Sequence, residues 1–228
     1  SATLAFMDAV AAAAEAGGGS GAALRTPMPA TQNVPASAAE VAPPVKAMPF
    51  DTKLGDDVND LAAKSPSLQQ DMQTLQNKGW TFQYGEPGKG TYANRATKLI
   101  TIDGSEKGHP KDVVRGLAHE VGHAMHPHKL DLSSKEAYVK STLADEGAAT
   151  LNNIRVQREI LAGGGSNIGI AGAAANHSAY NKAYDTFLKD GNAKAAHDAI
   201  GSVFGAGEQT SNTNQPYAKY YGDWYDKQ

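Results

Sequence analysis

"GLAHEVGHAMHPH", residues 116–128, places four histidines and one glutamate in a stretch that otherwise has the pattern of a helix. The spacing predicts a helix from about Pro110 to His126, stopped by Pro127, with Val113, Val114, Leu117, Val121 and Ala124 as its core-facing stripe. Inside it His119-Glu120-Val121-Gly122-His123 reads H-E-x-x-H. On a helix, positions i and i+4 lie about 40° apart around the axis and about 6 Å along it. Two imidazoles so placed can converge on one ion at the zinc–nitrogen distance of about 2.0–2.1 Å. In a shuffled chain of this composition the pattern is expected about 0.01 times. Gly122, in mid-helix, costs about 1 kcal/mol relative to Ala, which implies that a neighbouring backbone comes close there.

A catalytic zinc takes three protein ligands and keeps one position open. The metzincin pattern would place glycine at position 126 and histidine at position 129; the chain has His126 and Lys129 there, so that pattern fails. His126 and His128 are expected beside the ion and not on it. The third ligand is expected to be Glu146, in "LADEGAATLNN" (143–153). Gly147, Ala148 and Ala149 follow it, and such small residues let its helix press against the helix of the motif. Asp145 points about 100° away and is placed to orient a ligating imidazole; Glu159 is the alternative ligand. Glu120 adjoins the first ligand without being one. It can take the proton of a water that zinc acidifies to a pKa of about 7 and act as general base.

The rest of the chain frames this helix. Of the 228 residues, 40% are hydrophobic and 20% charged, as in a soluble globular protein. A net charge of -3, with no basic cluster, argues against nucleic-acid binding. Cysteine is absent, which excludes disulfides, thiolate metal sites and a cysteine nucleophile. No run approaches the roughly 18 apolar residues that span a bilayer. "SATLAFMDAVAAAAEA" lacks the basic start of a signal peptide and is interrupted by Asp8. A start at Ser1 suggests a fragment of a longer protein.

Residues 1–48, rich in Ala, Gly and Pro, read as a linker, and residues 49–228 as one domain. In the domain, "SPSLQQDMQTLQNKG" (65–79) predicts a helix capped by Ser65, begun by Pro66, apolar at Leu68, Met72 and Leu75, and stopped by Gly79. "WTFQYG" and "TYANRATKLITID", around "EPGKG", predict a hairpin or two neighbouring strands. "SSKE" (133–136) offers a capping box with Glu136 for a helix that runs to "GGGSNIGIAGAAA", expected to be a mobile loop. Next comes an amphipathic helix with Ala179, Tyr180, Ala183, Tyr184, Phe187 and Leu188 on its apolar face, then a short helix over 192–204 and a tyrosine-rich tail. The order is that of an α+β fold.

"KLITIDGSEKGHPKDVVRGLAHEVGHAMH" followed by "LADEGAATLNNIRVQREI" resembles the zincin metallopeptidases, in the branch whose third ligand is a glutamate. Within it, the chain is most similar to compact bacterial effector domains fused behind the VgrG spike proteins of type VI secretion. The resemblance implies a zincin-like fold and a Zn2+ ion held by His119, His123 and Glu146. It implies peptide-bond hydrolysis with Glu120 as catalytic base, and "KLITID" as an edge strand that pairs with extended substrate. It further implies a protein or peptide substrate, an immunity protein, an upstream secretion carrier, and action in a target cell, the periplasm favoured. Tyr217, Tyr220, Tyr221, His177, His197 and Arg155 are all available to stabilise an oxyanion. Three alternatives stay open: a catalytically silent zincin-fold binding module, a host-directed type III-like protease, and a structural metal site.

Overall fold

In the computed structural model, residues 48–210 and 213–228 are described. The expected linker falls outside them, apart from exposed Met48. The elements are α1 (Asp56–Ala62), α2 (Pro66–Asn77), β1 (Thr81–Tyr84), β2 (Tyr92–Asn94), β3 (Leu99–Ile102), α3 (Pro110–Met125), α4 (Lys135–Ala162), α5 (Ala174–Asp190), α6 (Ala193–Gly207) and α7 (Tyr217–Asp226). The fold is α+β, as the order of elements predicts. Among the described residues no helix is long and apolar enough to cross a membrane.

α2 begins as expected: Ser65 accepts the Leu68 N–H, Pro66 is the first helical residue, and Leu68, Met72 and Leu75 are buried. The two β-prone runs do not form a hairpin but do supply neighbouring strands, β1 and β3. The sheet order is β1-β3-β2, with β1 parallel and β2 antiparallel to β3. The second β-prone run therefore splits into two strands, and the turn between them is made by residues 95–98 with Lys98 at φ 53°. It follows that "KLITID" is not an edge strand. β3 is central, paired on both sides, and its Ile100 and Ile102 are buried; the edges are β1 and β2.

α3 ends at Met125 because His126, preceding Pro127, is driven to extended backbone (φ -76°, ψ 127°). α4 starts from Ser134, whose side chain accepts the Ala137 N–H. Glu136 is then the second helical residue, one short of the position a capping box requires. The glycine-rich loop after α4 is pinned, not mobile in its placement: Ile168 and Ile170 are buried, and Asn153 bonds Gly169 O at 3.0 Å and Ala171 N at 2.8 Å. On α5, Tyr180 and Tyr184 are buried as expected, but Ala179 and Leu188 face solvent.

Two apolar clusters result. One joins α1, α2, the sheet and α3; the other joins α5, α6 and α7. α4 belongs to both, giving Val156 and Ile160 to the first and Tyr138, Leu143, Leu151 and Ile154 to the second. At about 1.5 Å per residue, its 28 residues span both clusters. Glycine sets how near its neighbours come. A methyl group on Gly122 of α3 would stand 2.7 Å from Ala149 Cα of α4 and 2.9 Å from Asn152 Cβ. Gly147 of α4 meets instead the carbonyl of His197 on α6, and Gly201 of α6 meets the carbonyl of Leu143.

Gly122→Ala should therefore destabilise the protein by about 1–3 kcal/mol through overpacking, although it removes a helix penalty of about 1 kcal/mol. Chemical denaturation measures it; a midpoint that stays or rises would show that α3 and α4 can part without cost.

Candidate metal centre

The close crossing of α3 and α4 brings four of the expected residues together. His119, Glu120 and His123 come from α3, and Glu146 from α4; all are buried. His119 Nε2 and His123 Nε2 each lie 3.3 Å from the same oxygen, Glu146 Oε2. Two donors about 2.0–2.1 Å from a tetrahedral ion stand about 3.3–3.4 Å apart. One donor atom from each of His119, His123 and Glu146 lies within 4.8 Å of the others. The three side chains can therefore hold one metal ion. Among the described residues this is the one group of three or more such side chains that can do so.

Asp145 stands where its expected role requires. Its Oδ2 is 3.0 Å from His123 Nδ1, so it fixes that ring with Nε2 turned to the centre. The sequence did not reveal what holds Asp145. Arg95, in the turn between β2 and β3, donates through Nη2 to Asp145 Oδ1 at 2.7 Å and to the carbonyl of His123 at 2.7 Å. Its only sequence signal was a lone arginine inside a run read as β-prone. Asn152 adds a further tie, donating to Ala118 O at 2.7 Å.

The other expected residues lie elsewhere. Glu159 accepts from Ser65 Oγ at 3.2 Å and from Ser67 N–H at 3.0 Å; it serves the start of α2 and is not a ligand. His126 turns away from the centre and packs against His197. His177 lies within hydrogen-bonding distance of Gly172 O, 3.1 Å away. Tyr217 packs on Phe204. Tyr221, buried on α7, is close enough to the centre that burial and then the Glu146 carboxylate raise its phenol well above the usual range.

Burial pushes Glu120 up to about 8, so without an ion it is protonated at neutral pH. Burial also disfavours a charged His123, but Glu146 and Asp145 outweigh it and hold the imidazole well above its ordinary value. Burial and His123 act oppositely on Glu146, and the carboxylate falls to about 2. Without an ion, the positive charges of Arg95 and His123 thus match the negative ones of Asp145 and Glu146. A divalent ion keeps that match if His123 and Glu120 both lose their protons.

Metal binding at pH 7 should accordingly release about two protons per ion, and about one in Glu120→Gln. Calorimetry in buffers of differing ionisation enthalpy reads this number. Glu120 and His123 both have folded values above their unfolded ones, so their contribution to the metal-free fold is lost as pH rises through those values. The melting-temperature gap between loaded and metal-free protein should widen from pH 6 to 8. In zinc titrations Glu146→Ala should weaken binding strongly, and Glu159→Ala hardly at all; the reverse ranking would displace Glu146 from the centre. Compared with models of protein families, with curated proteins and with solved structures, the chain finds no match.

Proposed function

We propose that the chain is a zinc-dependent endopeptidase. The observation that carries this reading is Glu120: a buried carboxyl next in sequence to the ligand His119, outside the ligand group, with its Oε1 free of any hydrogen bond. A structural site has no need of such a group. Two imidazoles and one carboxylate suit Zn2+ and leave one of four positions open. Zinc held there supplies Lewis acidity, which acidifies water and polarises a carbonyl. Glu120 then takes the proton of the attacking water and returns it to the departing amine. Asp145 and Arg95 keep the His123 ring from turning. Of the two edges, β2 leads directly into Arg95, and it would offer an extended substrate the pairing that "KLITID" was expected to give.

Delivery by a secretion carrier and action in the periplasm of a target bacterium belong to the same proposal. They rest on the resemblance to VgrG-fused effector domains. Export to the periplasm should then be toxic, and Glu120→Gln harmless.

The burial of all three ligands favours a second reading, an ion that only holds α3 to α4. One experiment separates the two. With zinc and a fluorogenic casein substrate, the protein should hydrolyse peptide bonds, and Glu120→Gln should keep one zinc per chain while losing about 10²–10⁴-fold in rate. A protein that gains melting temperature with zinc yet cleaves nothing would be structural.

A further inference from the structure

Two further histidines follow the motif: His128 stands with Nδ1 3.9 Å from Asp145 Oδ2, and His126 lies apart from the ligand group. His126 leaves α3 on the extended backbone that Pro127 imposes, with its N–H still held by Gly122 O at 3.1 Å. Across from it stands His197 of α6, the residue whose carbonyl rests against Gly147. The two rings have centroids 5.2 Å apart at 90°. The pair His119 and His123, which offers its nitrogens to one ion, has centroids 5.0 Å apart at 70°. The His126 and His197 rings thus stand nearly as close to each other as the rings of the first pair.

We propose that His126 and His197 form a second, weaker site for a transition-metal cation, bridging the end of α3 to α6.

Three observations support it. Both side chains line one groove, with His128 and Asp198 beside them, so an ion can reach them from solvent. His128 carries a buried Nε2 without a hydrogen-bond partner, which leaves a further imidazole of that wall unsatisfied. Burial, with His126 beside it, takes His197 down to about 4, so that ring keeps a lone pair at neutral pH. Neutral imidazole suits Zn2+, Ni2+ and Cu2+ over the oxygen-seeking Mg2+ and Ca2+.

The site is weaker for a stated reason. Among the described residues only His119, His123 and Glu146 make a set of three donors, so this one has two imidazoles and is completed by water. Asp198 adds negative charge nearby, but Lys194 already engages it at 2.8 Å. An ion here would staple the segment after His123 to the helix that supports Gly147, the neighbour of Glu146. It would thus brace both sides of the first centre without touching it.

The test is a zinc titration of the metal-free full chain by calorimetry, and it does not depend on whether the protein is a peptidase. Wild type should bind two equivalents, the second more weakly. His126→Gln and His197→Gln should each abolish the weaker event and keep the tight one, whose survival reports an intact fold. Glu146→Ala should remove the tight event and spare the weaker. His109→Ala and His177→Ala should leave both. A single equivalent in wild type would overturn the proposal. So would a second equivalent that survives in the double His126→Gln/His197→Gln variant, or loss of the tight event in either single Gln variant.

Discussion

Gly122 lies against the backbone of Ala149, and the reach of the metal-site donors depends on that contact. With the helices this close, a glutamate on α4 reaches between two imidazoles on α3. At the usual 8–10 Å between helix axes, larger side chains fill the space and the carboxylate falls short. The hydrogen bond from Asn152 to Ala118 O lies along the same seam and prevents the two helices from sliding. Gly147 of α4 and Gly201 of α6 act in the same way between those two helices. The central helix is held by backbone contact on two sides, which leaves its buried surface free to be polar. Thr142, Asp145, Glu146, Thr150, Asn152 and Asn153 all occupy it.

A buried surface of that kind is stable only if its charges are matched. Arg95 reaches in from the sheet to Asp145, and removing one partner from a buried ion pair costs about 3–5 kcal/mol; here it would leave Asp145 Oδ1 without its cation while Oδ2 kept only the imidazole side. The β2–β3 turn therefore does more than connect strands. It carries the cation that lets an acidic pair exist beside the two histidines. The sheet, small as it is, positions the centre through this one side chain.

What could be read in the chain depended on how local its cause was. The two histidines and Glu120 were legible because helical geometry fixes the i, i+4 relation. Ser65, Pro66 and the apolar face of α2 were legible for the same reason. Glu146 was legible through its neighbours, since a run of small residues announces a close crossing; that Gly147 serves α6 while Ala149 serves α3 was not, because composition does not say which neighbour is met. Strand order was hidden, as alternation marks a strand but does not name its partner; hence β3 was taken for an edge. Arg95 was hidden more completely, acting across 50 positions from a turn. The loop after α4 misled by its glycines, while Ile168 and Ile170 within it were being drawn into the two cores.

α4 is the one described helix that both apolar clusters share, and Glu146 lies on it between Leu143 and Leu151 of the second, with Val156 and Ile160 of the first beyond. Fraying from either end of this helix is halted by a core before it reaches Glu146. The turns around the centre can open only when the molecule as a whole does, so their amides belong to the slowest-exchanging class. The lifetime of an ion at His119, His123 and Glu146 is then tied to the rate of global opening and not to the motion of any single loop. Such a centre would exchange its metal slowly even where its affinity is modest.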